Sequence, residues 1–203
     1  MSKFSKKDFY FSIITGLITG FIAWRIFEYL EITKLGNHSF AWFMVLVPML
    51  WVFGVNLGYF LGRWLAFFNQ FGKFAAIGFT NAAVYFGILN VFISWSDINK
   101  GLWYSVFVAI SFTIGTVHSY FWNKFWVFST TNDKISGEEF GKFIGVSVIA
   151  GLVNVGIASL VVNFINPILS LTLDQWANIG GVVGSAIALV FSFVGFKMAV
   201  FKK

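Results

Sequence analysis

Charged residues are sparse in this chain and fall at intervals, and the stretches between them are apolar almost throughout. Reading from one charge to the next leaves charge-free runs at 9–24, 35–62, 74–96, 101–123, 143–173 and 175–196. An α-helix rises about 1.5 Å per residue and the hydrocarbon core of a bilayer is about 30 Å thick, so a span needs about 20 residues nearly free of charge. Six runs of that order predict about six transmembrane helices. The second and fifth runs exceed one span and take in connecting loop, while the first holds 16 residues and must continue past Arg25 to reach the far side. Transmembrane β-strands would alternate in polarity over about ten residues. These runs are too long and too uniformly apolar for that, so the expected class is an all-α integral membrane protein.

Composition strengthens this reading. Of 203 residues, 58% are hydrophobic and 11% charged, where a soluble domain carries about 25% charged residues. The mean hydropathy of +0.81 is spread along the whole length, so the chain is embedded rather than anchored. Trp42, Trp64, Trp95, Trp103, Trp126 and Trp176 fall near the ends of the expected spans, where an amphipathic indole prefers the head-group layer. The absence of cysteine excludes disulfides, thiolate metal sites and a cysteine nucleophile.

The net charge of +6 is explained without a nucleic acid. Cytoplasmic loops carry excess Lys and Arg, and anionic head groups attract the same residues. Six spans would place Lys3, Lys6, Lys7, Arg63, Lys73, Lys124, Lys134, Lys142, Lys197, Lys202 and Lys203 on one side and only Lys34 and Lys100 on the other, with Arg25 near that end of span one. The bias predicts a multi-pass protein of the cytoplasmic membrane with both termini in the cytoplasm. The basic start could suggest a secretory signal, but no small-residue cleavage site follows and the apolar run continues through Trp24 and Phe27, so an uncleaved first span is expected.

The chain also repeats itself. Phe71-Gly72-Lys73-Phe74 recurs as Phe140-Gly141-Lys142-Phe143, an offset of 69, each time directly before a long apolar run. Lys124, Val127 and Phe128 recur as Lys197, Val200 and Phe201 at an offset of 73, the change fitting a longer connection in the second copy. Each unit is a two-helix hairpin, and an even number of spans gives the copies the same topology, so they are parallel repeats. The expected organisation is a two-helix hairpin over residues 1–68 followed by a four-helix module over 69–203, with repeats at about 71–128 and 140–201. The hinge run from Trp64 to Gln70 either lies in the interface or extends helix two. The only sizeable polar segment, Ser129 to Glu139, is too short for a catalytic domain.

Two stretches of the module resemble a known family. Lys73-Phe74-x-x-x-Gly78-x-x-Asn81 opens it, and Tyr120-Phe-Trp-Asn123-Lys124-Phe-Trp126-Val127-Phe128 closes the first helix pair. The segment from Phe71 to Lys203 resembles the GtrA-like membrane proteins, small four-helix proteins of polysaccharide and cell-wall glycosylation, and covers about two thirds of this chain. The family's usual Arg is Lys124 here, and Ser119 stands where a further Asn is common. Lysine cannot form arginine's bidentate fork with phosphate. In the second copy, Phe196-Lys197-Met198 replaces Asn, Arg and its neighbour. The resemblance implies a flippase: lipid transport of a polyprenyl-phosphate-linked sugar to the outer leaflet, where a glycosyltransferase uses it. It implies no catalysis, no cofactor and no metal.

Polar groups at membrane depth are costly and mark either helix packing or a pathway. Asn81 and Asn90 lie on span three, His118 and Asn123 on span four, Asn154 and Asn163 on span five. For each Asn an interhelical hydrogen bond competes with a substrate-facing role, and His118 is either a packed neutral donor or a sugar or proton contact. Lys73 and Lys124 either hold the lipid phosphate or snorkel as topology anchors. With Trp126 from the motif, the candidate substrate-binding set is Lys73, Asn81, His118, Asn123, Lys124, Trp126 and Asn154. Arg25, Glu28, Glu31 and Lys34 recur every third residue, so a continuous helix would pair Arg25 with Glu28 and Glu31 with Lys34. Gly180, Gly181 and Gly184 suit close helix packing.

Three rival readings differ in what they need. A metal-assisted membrane enzyme needs clustered carboxylates, and the eight acidic residues include no Asp-x-x-Asp pair, while Glu28-x-x-Glu31 is flanked by Arg25 and Lys34. A non-transporting scaffold that recruits a glycosyltransferase would depend on the loop from Ser129 to Glu139 instead of the intramembrane polar residues. A proton-coupled exporter would need an intramembrane carboxylate, for which Glu28 is the best candidate. Four to six short helices enclose little volume, so a homodimer is the expected assembly for a lipid-sized path.

Overall fold

The computed structural model of the chain describes residues 3–32, 39–127 and 137–199. They form six long helices: α1 (Lys6–Tyr29), α2 (Phe43–Leu61, entered through a 3-10 turn at Phe40–Trp42), α3 (Phe68–Ser96), α4 (Gly101–Trp122, continued by a π-helical turn at Asn123–Val127), α5 (Gly137–Phe164) and α6 (Leu173–Ala199). No strand occurs among the described residues. Five of the helices are long and apolar enough to cross a membrane, and α6 is 27 residues long. The chain is an all-α, multi-pass membrane protein.

The six expected runs each contain the body of one helix, but several helices extend past the charges that bracket the runs. Span one does continue past Arg25, and α1 includes Lys6, Lys7, Asp8, Arg25 and Glu28. Arg25 pairs with Glu28 at 2.9 Å. The helix then ends at Tyr29, and Glu31 takes a left-handed backbone with φ 52°. The continuous ladder expected through Lys34 is therefore broken at Glu31, and Lys34 lies outside the described residues. Trp64 to Phe67 belong to a turn and Phe68 opens α3, so this run neither forms its own helix nor lengthens α2. The polar segment expected from Ser129 lies outside the described residues as far as residue 136, and α5 begins at Gly137.

The helical repeat is regular. Lys73 is the sixth residue of α3, and Lys142 the sixth of α5. The connection from α3 to α4 is residues 97–100 and that from α5 to α6 is 165–172. The second is longer by four residues, the amount by which the repeat offset grows from 69 to 73.

By packing, the chain forms two units, Met1–Gly87 with Val117–Thr131, and Ile88–Thr116 with Asn132–Lys203. The first unit is built on close approach of α1 to α2 and of α2 to α3. A Cβ on Gly16 would lie 2.4 Å from the Pro48 Cα, and one on Gly20 would lie 2.3 Å from the Phe43 carbonyl oxygen. Small residues four apart let transmembrane backbones approach in this way. α1 is inverted relative to a soluble helix: its buried residues are Asp8, Ser12, Thr15, Gly16, Thr19 and Gly20, while Phe9, Tyr10, Ile14, Leu17 and Phe21 are exposed. Lipid solvates the apolar side chains, so the interior takes the polar and small ones. Thr15 and Thr19 donate to carbonyls one turn back, at 2.7 and 2.8 Å to Phe11 and Thr15. Across to α3, Thr19 also meets the Thr80 hydroxyl at 2.9 Å.

In the second unit α5 packs on α6 through Gly180 and Gly184, where an added Cβ would approach Val162 and the Asn154 carbonyl oxygen. Polar pairs join the helices here. Asn90 and Asn178 exchange two amide hydrogen bonds of 2.8 Å, the Tyr104 hydroxyl donates to the Ala177 carbonyl at 2.7 Å, and Ser105 and Ser159 share a hydrogen bond of 2.6 Å. Each such bond contributes about 1 kcal/mol in membranes.

Candidate functional site

In the first unit the start of α1, the end of α2, the start of α3 and the π-helical turn after α4 converge on one carboxylate. Ser5 caps α1 in a capping box with Asp8: the Asp8 amide donates to Ser5 Oγ at 3.2 Å, and the Ser5 amide donates to Asp8 Oδ2 at 3.0 Å. The capping box turns Asp8 back over the first turn, where it is 3% exposed. Its two oxygens then accept from four side chains. Ser5 Oγ and the Tyr59 hydroxyl reach Oδ2 at 2.7 and 3.0 Å. Lys73 Nζ and Trp126 Nε1 reach Oδ1 at 2.8 and 3.0 Å. The Lys73 ammonium also sits 5.1 Å from the centre of the Tyr59 ring.

Aromatic packing holds this arrangement. Phe4 meets Tyr59 edge-on at 6.2 Å, and Phe11 meets Trp122 and Trp126 at 5.4 and 5.8 Å. Trp126 and Val127 are buried in a cluster with Val55, Ala76 and Ile77. Asn123 to Val127 form a π turn rather than continuing the α-helix, a departure that recurs at functional sites. Beside the cluster, α2 and α3 enclose an apolar groove of about 270 Å³, lined by residues that include Trp51, Gly58, Gly72 and Phe79.

Of the residues expected from sequence, Lys73 and Trp126 thus meet, through Asp8. His118 accepts from the Trp122 indole at 2.9 Å through Nε2, which leaves the ring's own proton on Nδ1. That nitrogen is buried and has no partner among the described residues. Asn123 folds its amide onto the Ser119 carbonyl and hydroxyl at 2.8 and 3.1 Å, with Oδ1 buried and unbonded. Asn81 Oδ1 and Ser12 Oγ are likewise buried without a partner among the described residues. A polar atom without a partner at this depth costs several kilocalories unless something bonds it. The Lys124 ammonium rests 5.6 Å from the Phe125 ring. Asn154 belongs to the second unit, fully buried, and donates to Ser185 Oγ at 3.0 Å.

Sequence reasoning missed Asp8, Tyr59 and Ser5, and the Asn178 partner of Asn90. A signal for Asp8 was present: Asp8, Ser12, Thr15 and Thr19 follow helical spacing in an otherwise apolar run, marking one polar stripe. Ser5-x-x-Asp8 also has the spacing of a capping box. Nothing local singles out Tyr59.

The family model described as GtrA/DPMS, transmembrane domain, matches residues 73–201. The match begins at Lys73, takes in the α3–α4 and α5–α6 hairpins, and leaves Asp8 and Tyr59 outside it. No curated protein and no solved structure gives a significant match.

Proposed function

The chain belongs to the GtrA/DPMS transmembrane-domain family, and from that membership we propose that it flips a polyprenyl-phosphate-linked sugar across the cytoplasmic membrane for cell-surface polysaccharide or glycan synthesis. The family consists of membrane proteins that handle sugars on glycosyl carrier lipids and is in general non-catalytic. In the proposed cycle both termini are cytoplasmic, Lys73 and Lys124 draw the lipid phosphate by charge-assisted bonds, and the prenyl tail stays in lipid. Asn81, His118 and Asn123 offer hydrogen bonds to the sugar, and Trp126 stands beside Lys73, both reaching Asp8 Oδ1. A glycosyltransferase on the outer face takes the product, and two copies of the chain enclose the path.

The observation that carries this reading is the set of buried, unbonded polar atoms on Asn81, His118 and Asn123, in the same unit as Lys73. A protein that only anchored a partner would have no use for unbonded polar groups inside its spans, whereas sugar hydroxyls would satisfy them once the helices part to admit the substrate. The test is quench-resolved flipping of a fluorescent polyprenyl-phosphate sugar in liposomes holding the purified protein. Wild type is expected to flip the lipid, and Asn123→Ala with Lys124→Ala to slow flipping by roughly ten-fold or more while staying folded, since one lost charge-assisted contact is worth about 1.5–3 kcal/mol. Wild type no faster than empty liposomes with every carrier lipid tried would replace this reading with the scaffold.

A further inference from the structure

Asp8 lies in the N-terminal hairpin, outside the family match, yet it is the group on which Lys73, Tyr59 and Trp126 converge. Five hydrogen-bond or ion-pair donors aim at one carboxylate: the Ser5 amide and hydroxyl, the Tyr59 hydroxyl, the Trp126 indole and the Lys73 ammonium. Neutral donors and a cation gathered in a buried pocket select an oxyanion, and a phosphate offers more acceptor sites than a carboxylate. A buried ion pair adds little stability over an apolar pair of similar size, so stability alone does not account for this one. We propose that the Asp8 carboxylate is a built-in occupant of a phosphate seat made by Lys73, Tyr59 and Trp126, which the phosphate of an isoprenoid lipid takes over as the first turn of α1 moves away.

Three features fit an amphiphile better than a soluble anion. Asp8 is the third residue of α1, Tyr59 the third from the end of α2 and Lys73 the sixth of α3, so the seat lies within about two turns of the helix ends, and the charges Lys6, Lys7, Arg63 and Lys73 that bound the apolar runs there are those expected at head-group depth. The apolar groove between α2 and α3 is lined by Gly58 and Gly72, which immediately precede Tyr59 and Lys73, by Ala76, which belongs to the same buried cluster as Trp126, and by Trp51, which packs on that cluster. A lipid phosphate in the seat has a hydrocarbon path beside it. The displaced element is also local: besides the Tyr59, Trp126 and Lys73 bonds to Asp8 that the phosphate takes over, the Ser5–Asp8 capping box and the edge contact of Phe4 with Tyr59 open. The latch rests on the carrier-lipid reading for its ligand, and its function is to keep Lys73 neutralised until a phosphate arrives.

Native mass spectrometry of the full chain can measure binding of farnesyl phosphate, with farnesol and inorganic phosphate as comparison arms. A latch closed about nine-tenths of the time weakens apparent affinity about ten-fold. Asp8→Asn is therefore expected to bind farnesyl phosphate about ten-fold more tightly than wild type, with farnesol unchanged. In unmodified wild type, farnesyl phosphate is expected to speed hydrogen exchange of the amides from Ser5 to Phe9. A folded Asp8→Asn protein with equal or weaker affinity would overturn the latch. If that variant does not fold, the wild-type exchange decides, and unchanged or slower exchange overturns it. An equal response to inorganic phosphate would overturn the lipid assignment. Tighter binding by Asp8→Asn with no flipping by either protein keeps the latch and removes the transport reading. Flipping by wild type with unchanged binding by Asp8→Asn does the reverse.

Discussion

At the scale of single residues, the two charges at the centre of the site are not equivalent. The Asp8 side chain is 4% exposed and the Lys73 side chain 12%, and a lysine can extend its flexible stem toward water as a short carboxylate cannot. Lys73→Met strands a buried anion and should cost about 3–5 kcal/mol, whereas Lys73→Met combined with Asp8→Asn removes both charges and should recover most of that loss. Unfolding in one detergent–lipid mixture, compared across wild type, single and double variants, checks this. Equal losses in single and double would mean that the two groups do not interact as a buried pair. Lys73 was legible in the sequence because it opens a motif and a repeat. Its partner was not, because Asp8 and Lys73 are 65 positions apart and only the packing of α1 against α3 joins them.

At the scale of helices, the spacing of charges marked out the six helices, five of them long and apolar enough to cross a membrane, but not where helices stop. A charge marks depth in the bilayer, whereas a helix ends where its backbone hydrogen bonds find other partners. This is why α1 runs from Lys6 to Tyr29 around a charge-free run of 9–24 and α3 starts at Phe68, ahead of Lys73. The inverted pattern of α1 was also visible, since its polar residues recur at helical spacing, but a mean over the run conceals a stripe. The stripe and its glycines set the approach of α1 to α2. Gly16→Leu must push Pro48 away and is expected to destabilise by at least about 2 kcal/mol through overpacking. Gly78→Ala, where nothing lies within 4 Å of an added Cβ, should be neutral within about 0.5 kcal/mol. The same unfolding assay reads both, and a tolerated Gly16→Leu would show that α1 and α2 are not packed through Gly16.

At the scale of the whole molecule, the repeat and the charge bias make one joint statement about topology. Parallel hairpins that each begin with a basic step would put Lys73 and Lys142 on the same face of the membrane, and the bias toward Lys and Arg predicts that this face is cytoplasmic. On that expectation the turn holding Lys100, between α3 and α4, faces outward, and the N-terminus shares the side of Lys73. Since the chain contains no cysteine, single cysteines report without background. Lys3 and Lys100 are both exposed and make suitable positions. In intact cells a membrane-impermeant maleimide is expected to label Lys100→Cys and to spare Lys3→Cys, which reacts only after the membrane is opened. The opposite pattern would invert the protein and put the Asp8–Lys73 seat on the outer face, where it would receive a carrier lipid after translocation. Labelling of both from outside would mean an even number of spans before residue 100, so that at least one of α1, α2 and α3 does not cross the bilayer.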